Sequence, residues 1–164
     1  MSNSNCLVCT KYPVPKIYSK CACNTKEFVN QALEFIKNNP QLTDEEIFAK
    51  LAQYETANQY YIIYGTAPSN KGVLLYHGSD GFVSQSDPCG TGKPPVGDNL
   101  WNYKSLNGLY AVRVFYKIAN NAKGCGWFSY HWTSPQGKLS PKYVYIQNAS
   151  ERGFLVSSGF IVKC

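Results

Sequence analysis

The chain has 164 residues, 44% hydrophobic and 16% charged, with a formal net charge of +6. That is enough for one domain with a real core, and too apolar for a disordered chain. No apolar run approaches the roughly 20 residues of a membrane helix, and the lysines and arginines are scattered rather than massed on one face, so a solvated basic surface is expected instead of nucleic-acid binding.

The opening MSNSNCLVCTKYPVP lacks a charged start and an apolar stretch, so no signal peptide is visible. Residues 1–24 read as a cysteine-rich arm in which Cys6, Cys9, Cys21 and Cys23 form C-x2-C-x11-C-x-C. Two close pairs suit disulfides that pin an irregular arm in an oxidising compartment. They also suit four thiolates around zinc, although one residue inside the second pair is short for that, or simply free thiols. Redox catalysis at Cys6-x-x-Cys9 fits poorly, because Pro13 and Pro15 follow where a helix should open.

Asn24 or Thr25 is placed to cap a helix with Phe28, Val29, Ala32, Leu33 and Ile36 on one face, ended by Asn38-Asn39-Pro40. Thr43 and Glu46 make a capping box for a second helix, with Ile47, Leu51 and Tyr54 as its apolar stripe. Residues 25–57 are thus helical, and a sheet core is expected over 58–164. Tyr60–Tyr64 and Val73–His77 read as a hairpin around a Pro-Ser-Asn turn. A loop rich in Gly, Ser and Pro follows over 78–98. Trp101–Asn121 then holds a helical segment with Leu109, Val112, Phe115, Tyr116 and Ala119 on its apolar face. Three more strands are expected near 126–133, 142–148 and 153–162. The order gives an α+β fold: a five-stranded antiparallel sheet with N-terminal helices and a long helical excursion between strands 2 and 3. A connection of that length is usually functional, and over one sheet face it encloses a cavity.

Four fragments, in order and spacing, resemble a single Cache domain, a PAS-like sensor module usually found outside the membrane. They are the strand pair at Tyr61-Ile62-Ile63-Tyr64 and Leu74-Leu75-Tyr76-His77; Val96-Gly97-Asp98-Asn99-Leu100; Gly126-Trp127-Phe128-Ser129-Tyr130-His131-Trp132 with Pro135; and Ser140-Pro141-Lys142-Tyr143-Val144-Tyr145 closed by Gly159-Phe160-Ile161. The resemblance covers residues 25–164. It implies a pocket between the sheet and the 78–123 excursion, a small-molecule ligand, and an extracytoplasmic or secreted setting, with no cofactor. Family members usually carry a membrane anchor before the first helix and a signalling domain after the last strand. Neither is seen in this chain, so the expectation is a free-standing, non-catalytic domain that binds a small polar or carboxylate-bearing molecule. The alternative is a structural or interaction protein that keeps the fold without a ligand and engages a protein partner or its own copies. Thirteen tyrosines and the cysteine arm favour that alternative.

Arg113, near the edge of the excursion helix, is suited to fork onto a carboxylate, or else to a surface ion pair. Period-two alternation sends Trp127, Ser129, His131 and Thr133 to one sheet face, and Phe128, Tyr130 and Trp132 to the other. Tyr130 and Trp132 are candidates for a pocket wall as well as for the core. Lys142, which with Tyr145 resembles the family's Lys-x-x-Tyr pair, would bind a carboxylate or tie down the excursion. His77 and His131 read as polar surface or pocket residues, and no spacing supports a metal site. Cys89 with His77, or Cys125 with His131, lacks the rest of a nucleophilic site, so no enzyme is expected. Cys89-Gly90-Thr91-Gly92-Lys93-Pro94 departs from a phosphate loop in spacing and in its proline. Asn148-Ala149-Ser150 is a glycosylation sequon at an expected turn. Cys125 and Cys164 fall at opposite ends of the closing meander, so Cys164 should pair with the arm or stay free, with Cys89 or Cys125 as the odd thiol or as a link between chains.

Overall fold

The computed structural model describes residues 14–79, 95–105, 108–133 and 139–161, with only the backbone of Trp132, Thr133 and Leu139. Pro15 precedes a short 3-10 turn, Lys16–Tyr18, which runs directly into helix α1, Ser19–Asn38. The helix therefore starts well before Asn24, and Cys21 and Cys23 ride on it rather than on an irregular arm. Pro15, extended at φ −51° and ψ 140°, is the N-cap of that turn, and its carbonyl accepts from the Tyr18 N–H at 2.8 Å. Ala22, Thr25, Phe28, Val29, Ala32 and Ile36 form the buried stripe of α1. Helix α2, Asp44–Ala52, opens on the expected capping box. Thr43 Oγ1 accepts from the Glu46 N–H at 3.2 Å, and Glu46 Oε2 accepts from the Thr43 N–H at 2.8 Å. Thr43→Ala is expected to cost about 1 kcal/mol in urea unfolding, the usual value of a lost N-cap.

Five strands follow: β1 Ile62–Gly65, β2 Leu74–His77, β3 Cys125–Thr133, β4 Leu139–Ala149 and β5 Phe154–Ile161. They form one antiparallel sheet in the order β2-β1-β5-β4-β3. Helix α3, Ala111–Ala119, lies in the excursion between β2 and β3. Strand β1 begins later than its aromatic run suggests. The Tyr61 N–H is taken at 3.0 Å by the Glu55 carboxylate instead of a strand partner.

The sheet separates two cores by strict alternation. On the α1–α2 side lie Tyr61, Ile63, Cys125, Trp127, Tyr145, Phe154 and Val156. Tyr61 stacks on Phe28 at 3.9 Å and donates its hydroxyl to the Phe28 carbonyl at 2.9 Å. On the α3 side lie Ile62, Tyr64, Phe128, Tyr130, Val144, Ile146 and Leu155, against Val112, Phe115 and Tyr116. Leu109, expected on the helix face, precedes α3 and is 40% exposed. Cys125 stands level with Gln147 and Val156, whereas Ile161 stands level with Lys142 and Tyr130. The start of β3 and the end of β5 are thus at opposite ends of the sheet; Cys164 itself lies outside the described residues.

Candidate ligand-binding site

The α3 side of the sheet is where alternation puts a charge among aromatics. Lys142, on β4, is 2% exposed, and it pairs in register with Tyr130 on β3. Its Nζ donates to the Tyr60 hydroxyl at 3.2 Å. Ile62 and Tyr64 of β1, His77 of β2, Leu100, Tyr103 and Ser105 of the excursion, and Ala111, Val112 and Phe115 of α3 complete a narrow cavity of about 30 Å³ with Tyr130 and Lys142. That is close to the volume one molecule takes in liquid water.

Burial works against the Lys142 ammonium, but the oxygens of Tyr130 and Tyr60 outweigh it, and the pKa is raised above the ordinary lysine value. The lysine therefore stays charged at neutral pH. Burial raises the phenols of Tyr130 and Tyr64, so both remain neutral donors. His77 is pushed down to about 3, first by burial and then by repulsion from Lys142. Its ring is 5.3 Å from that of Tyr60, and Nδ1 accepts from the Ser79 N–H at 3.2 Å. The cavity thus combines a fixed cation, neutral hydroxyls and an uncharged imidazole, a set suited to recognising an anion.

Three of the expected site residues, His77, Tyr130 and Lys142, meet in this cavity. Tyr145 does not. An odd step along a strand reverses the face, and Tyr145 packs on Trp127 at 5.3 Å in the opposite core. Its hydroxyl donates to Gln147 Oε1 at 2.8 Å, and burial pushes its pKa up to about 12. Arg113 does not line the cavity either. It donates from Nε to the Trp101 carbonyl at 3.0 Å and from Nη2 to Asn102 Oδ1, with its guanidinium 3.9 Å over the Tyr110 ring. Its work is to anchor the excursion. The side chain of Trp132 lies outside the described residues, and His131 is exposed. Tyr60, Tyr103 and Ser105 were not foreseen. Tyr60 was within reach of period two, being two residues before Ile62; Tyr103 and Ser105 sit in a segment with no periodicity to read.

Cys21 is an exposed free thiol on α1. Cys23 is half-buried on the same helix. Residues two apart on a helix point in different directions, so this pair does not act as one clamp. Cys125 is disulfide-bonded and is therefore not the odd thiol. The expectations for Cys6, Cys9, Cys89 and Cys164 lie outside the described residues, as does the 89–94 segment. Asn148 of the sequon lies near the end of β4 with its side-chain oxygen buried, while Ser150 opens the 3-10 turn Ser150–Arg152.

Three solved structures share this architecture. A methyl-accepting chemotaxis protein from Vibrio parahaemolyticus RIMD 2210633 superposes with a TM-score of 0.68 at 14% identity, covering 90% of this chain and 93% of that one. A periplasmic sensor domain of a chemotaxis protein gives 0.64 at 16%, covering 92% and 100%. A Cache chemosensory domain, described for its carboxylic acid recognition, gives 0.60 at 18%, covering 90% and 97%. At these identities the likeness is one of fold. No curated protein matches the sequence. The Cache domain family matches residues 22–163, nearly the whole of the sheet and helices built above, and the chain belongs to that family.

Proposed function

We propose that this domain is a non-catalytic sensor module, working outside the cytoplasm, that binds a small carboxylate in the Lys142 cavity. The observation that carries the reading is the position of Lys142: a buried ammonium on the cavity wall, with Tyr60 and Tyr130 beside it. A carboxylate there meets a charge-assisted donor and neutral hydroxyls at once. The similar Cache chemosensory domain described for carboxylic acid recognition supports the ligand class. The disulfide at Cys125 and the similar periplasmic sensor domain support the compartment. At about 30 Å³, near the size of one water, the cavity takes an acid of acetate size only when the side chains around Lys142 move apart.

The same small volume favours a second reading, in which the fold serves assembly or adhesion and the cavity is a packed core. Thermal-shift titration separates the two. Formate, acetate, propionate and pyruvate should raise the melting temperature saturably, while methylamine and matched chloride should not. Lys142→Met should weaken acetate by roughly tenfold to a hundredfold, the usual range for a hydrogen bond to a charged group. A flat screen with a folded wild-type protein leaves the assembly reading.

A further inference from the structure

We infer that the domain has a second ligand site, for a neutral polyhydroxylated molecule of short-oligosaccharide size, in the groove between α1 and the end of β5. The groove has a volume of about 550 Å³ and opens to solvent. Small-molecule sites usually fall between roughly 300 and 1,000 Å³. It opens on the α1 side of the sheet, and only at Gly159 does its wall back onto the stem of Lys142.

Its walls are built rather than incidental. Asn24, Phe28 and Gln31 line one wall at helical spacing along α1, and the turn through Asn58 and Gln59 forms the other. Gln59 Nε2 donates to the Asn24 carbonyl at 3.2 Å, which fixes the turn against the helix. The half-buried Phe160 supplies the ring surface, to which Phe28, 6% exposed, adds little. Both rings are already held, Phe28 by its stack on Tyr61 at 3.9 Å and Phe160 by stacking on Tyr143 at 5.5 Å. A ligand would pay little to order them.

The chemistry selects the ligand class. The side-chain amides of Asn24, Gln31 and Asn58 make no hydrogen bond among the described residues. Each amide offers two donors and an acceptor, which matches hydroxyls that donate and accept together. The Phe160 ring suits the C–H face of a pyranose. Although the chain carries a net charge of +6, the described lining holds no lysine or arginine, and its one charged residue is Glu27. An anion is therefore disfavoured here, and a single carboxylate is a weak trap for a polycation.

Amide-resolved NMR titration of the full chain with maltotriose, triacetylchitotriose and xylotriose tests the inference. At least one should shift resonances of residues 24–31, 56–59 and 159–160 saturably by about 10 mM, a range in which weak binding still registers. The exposed double variant Asn24→Ala/Gln31→Ala, checked by an unchanged melting temperature, should weaken binding by about tenfold or more. Tyr103→Phe, on the excursion side of the Lys142 cavity, should leave it unchanged, so the two sites fail or survive separately. The inference is overturned by no shifts, by shifts confined to the α3 side, by equal binding to the double variant, or by spermidine shifting these residues where the sugars do not. It is also overturned if sedimentation shows a dimer whose interface protects the groove.

Discussion

Trp127→Ala is expected to destabilise the domain by about 3–5 kcal/mol, the usual cost of an aromatic-to-alanine cavity. For a domain of this size that is a fall of roughly 6–20 °C in melting temperature. Trp127 is the largest of the fully buried side chains among the described residues and belongs to the α1-side core. Its indole is 5.3 Å from the ring of Tyr145 and 6.2 Å edge-on from that of Phe160. Rigid strands bound the site, so the void would not close. Trp127→Phe should behave differently. The indole Nε1 is buried with no hydrogen-bond partner among the described residues, and a buried unpaired N–H costs about 1–3 kcal/mol. Removing it offsets most of the lost apolar area, and the net change should stay within about 1 kcal/mol. Urea unfolding of the two variants decides the matter. A phenylalanine variant as unstable as the alanine one would mean that the indole N–H is satisfied, for instance by an internal water.

The elements most visible in the sequence are those governed by one local rule. The capping box at Thr43 and Glu46 is complete within four residues, and it formed as read. Alternation along Trp127, Phe128 and Tyr130 sorts these residues onto the two sheet faces in which they are found. The same rule also exposes the one misleading feature of the family likeness. Lys142 and Tyr145 are three apart on a strand, so they share a motif but not a face. What stayed hidden was cross-chain proximity. The Tyr60 partner of Lys142 is 82 positions away, and only the β1-β5-β4 pairing brings the two together. Arg113 shows the same limit on a helix. Its sequence neighbours permit a pocket role, but Trp101, Asn102 and Tyr110 in the excursion capture the guanidinium. The strand start at Ile62 depends on a carboxylate seven positions earlier, Glu55, whose reach no propensity reports.

Gly159→Ala is expected to damage the fold and the Lys142 cavity together. Gly159 pairs with Val144 across the β4–β5 ladder. A Cβ there would stand 2.6 Å from the Tyr143 carbonyl oxygen, 2.9 Å from Val144 Cγ2 and 3.3 Å from Lys142 Cε. The first neighbour is backbone and cannot rotate away, so the strands must part locally. Where space exists, Gly→Ala usually gains about 0.4–1 kcal/mol through the unfolded chain. Here overpacking should reverse the sign and cost about 1–3 kcal/mol or more, a drop of roughly 2–12 °C in melting temperature. The third contact links this strain to function. Room beside Gly159 lets the lysine stem pass along β5 toward Tyr60, whose carbonyl is held at 2.7 Å by the Ser158 hydroxyl. With that room filled, the ammonium shifts from the cavity, and the thermal response to acetate should fall even in the folded protein. An alanine variant with the wild-type melting temperature and acetate response would show that β4 and β5 yield at this point, and that the glycine does not set the position of Lys142.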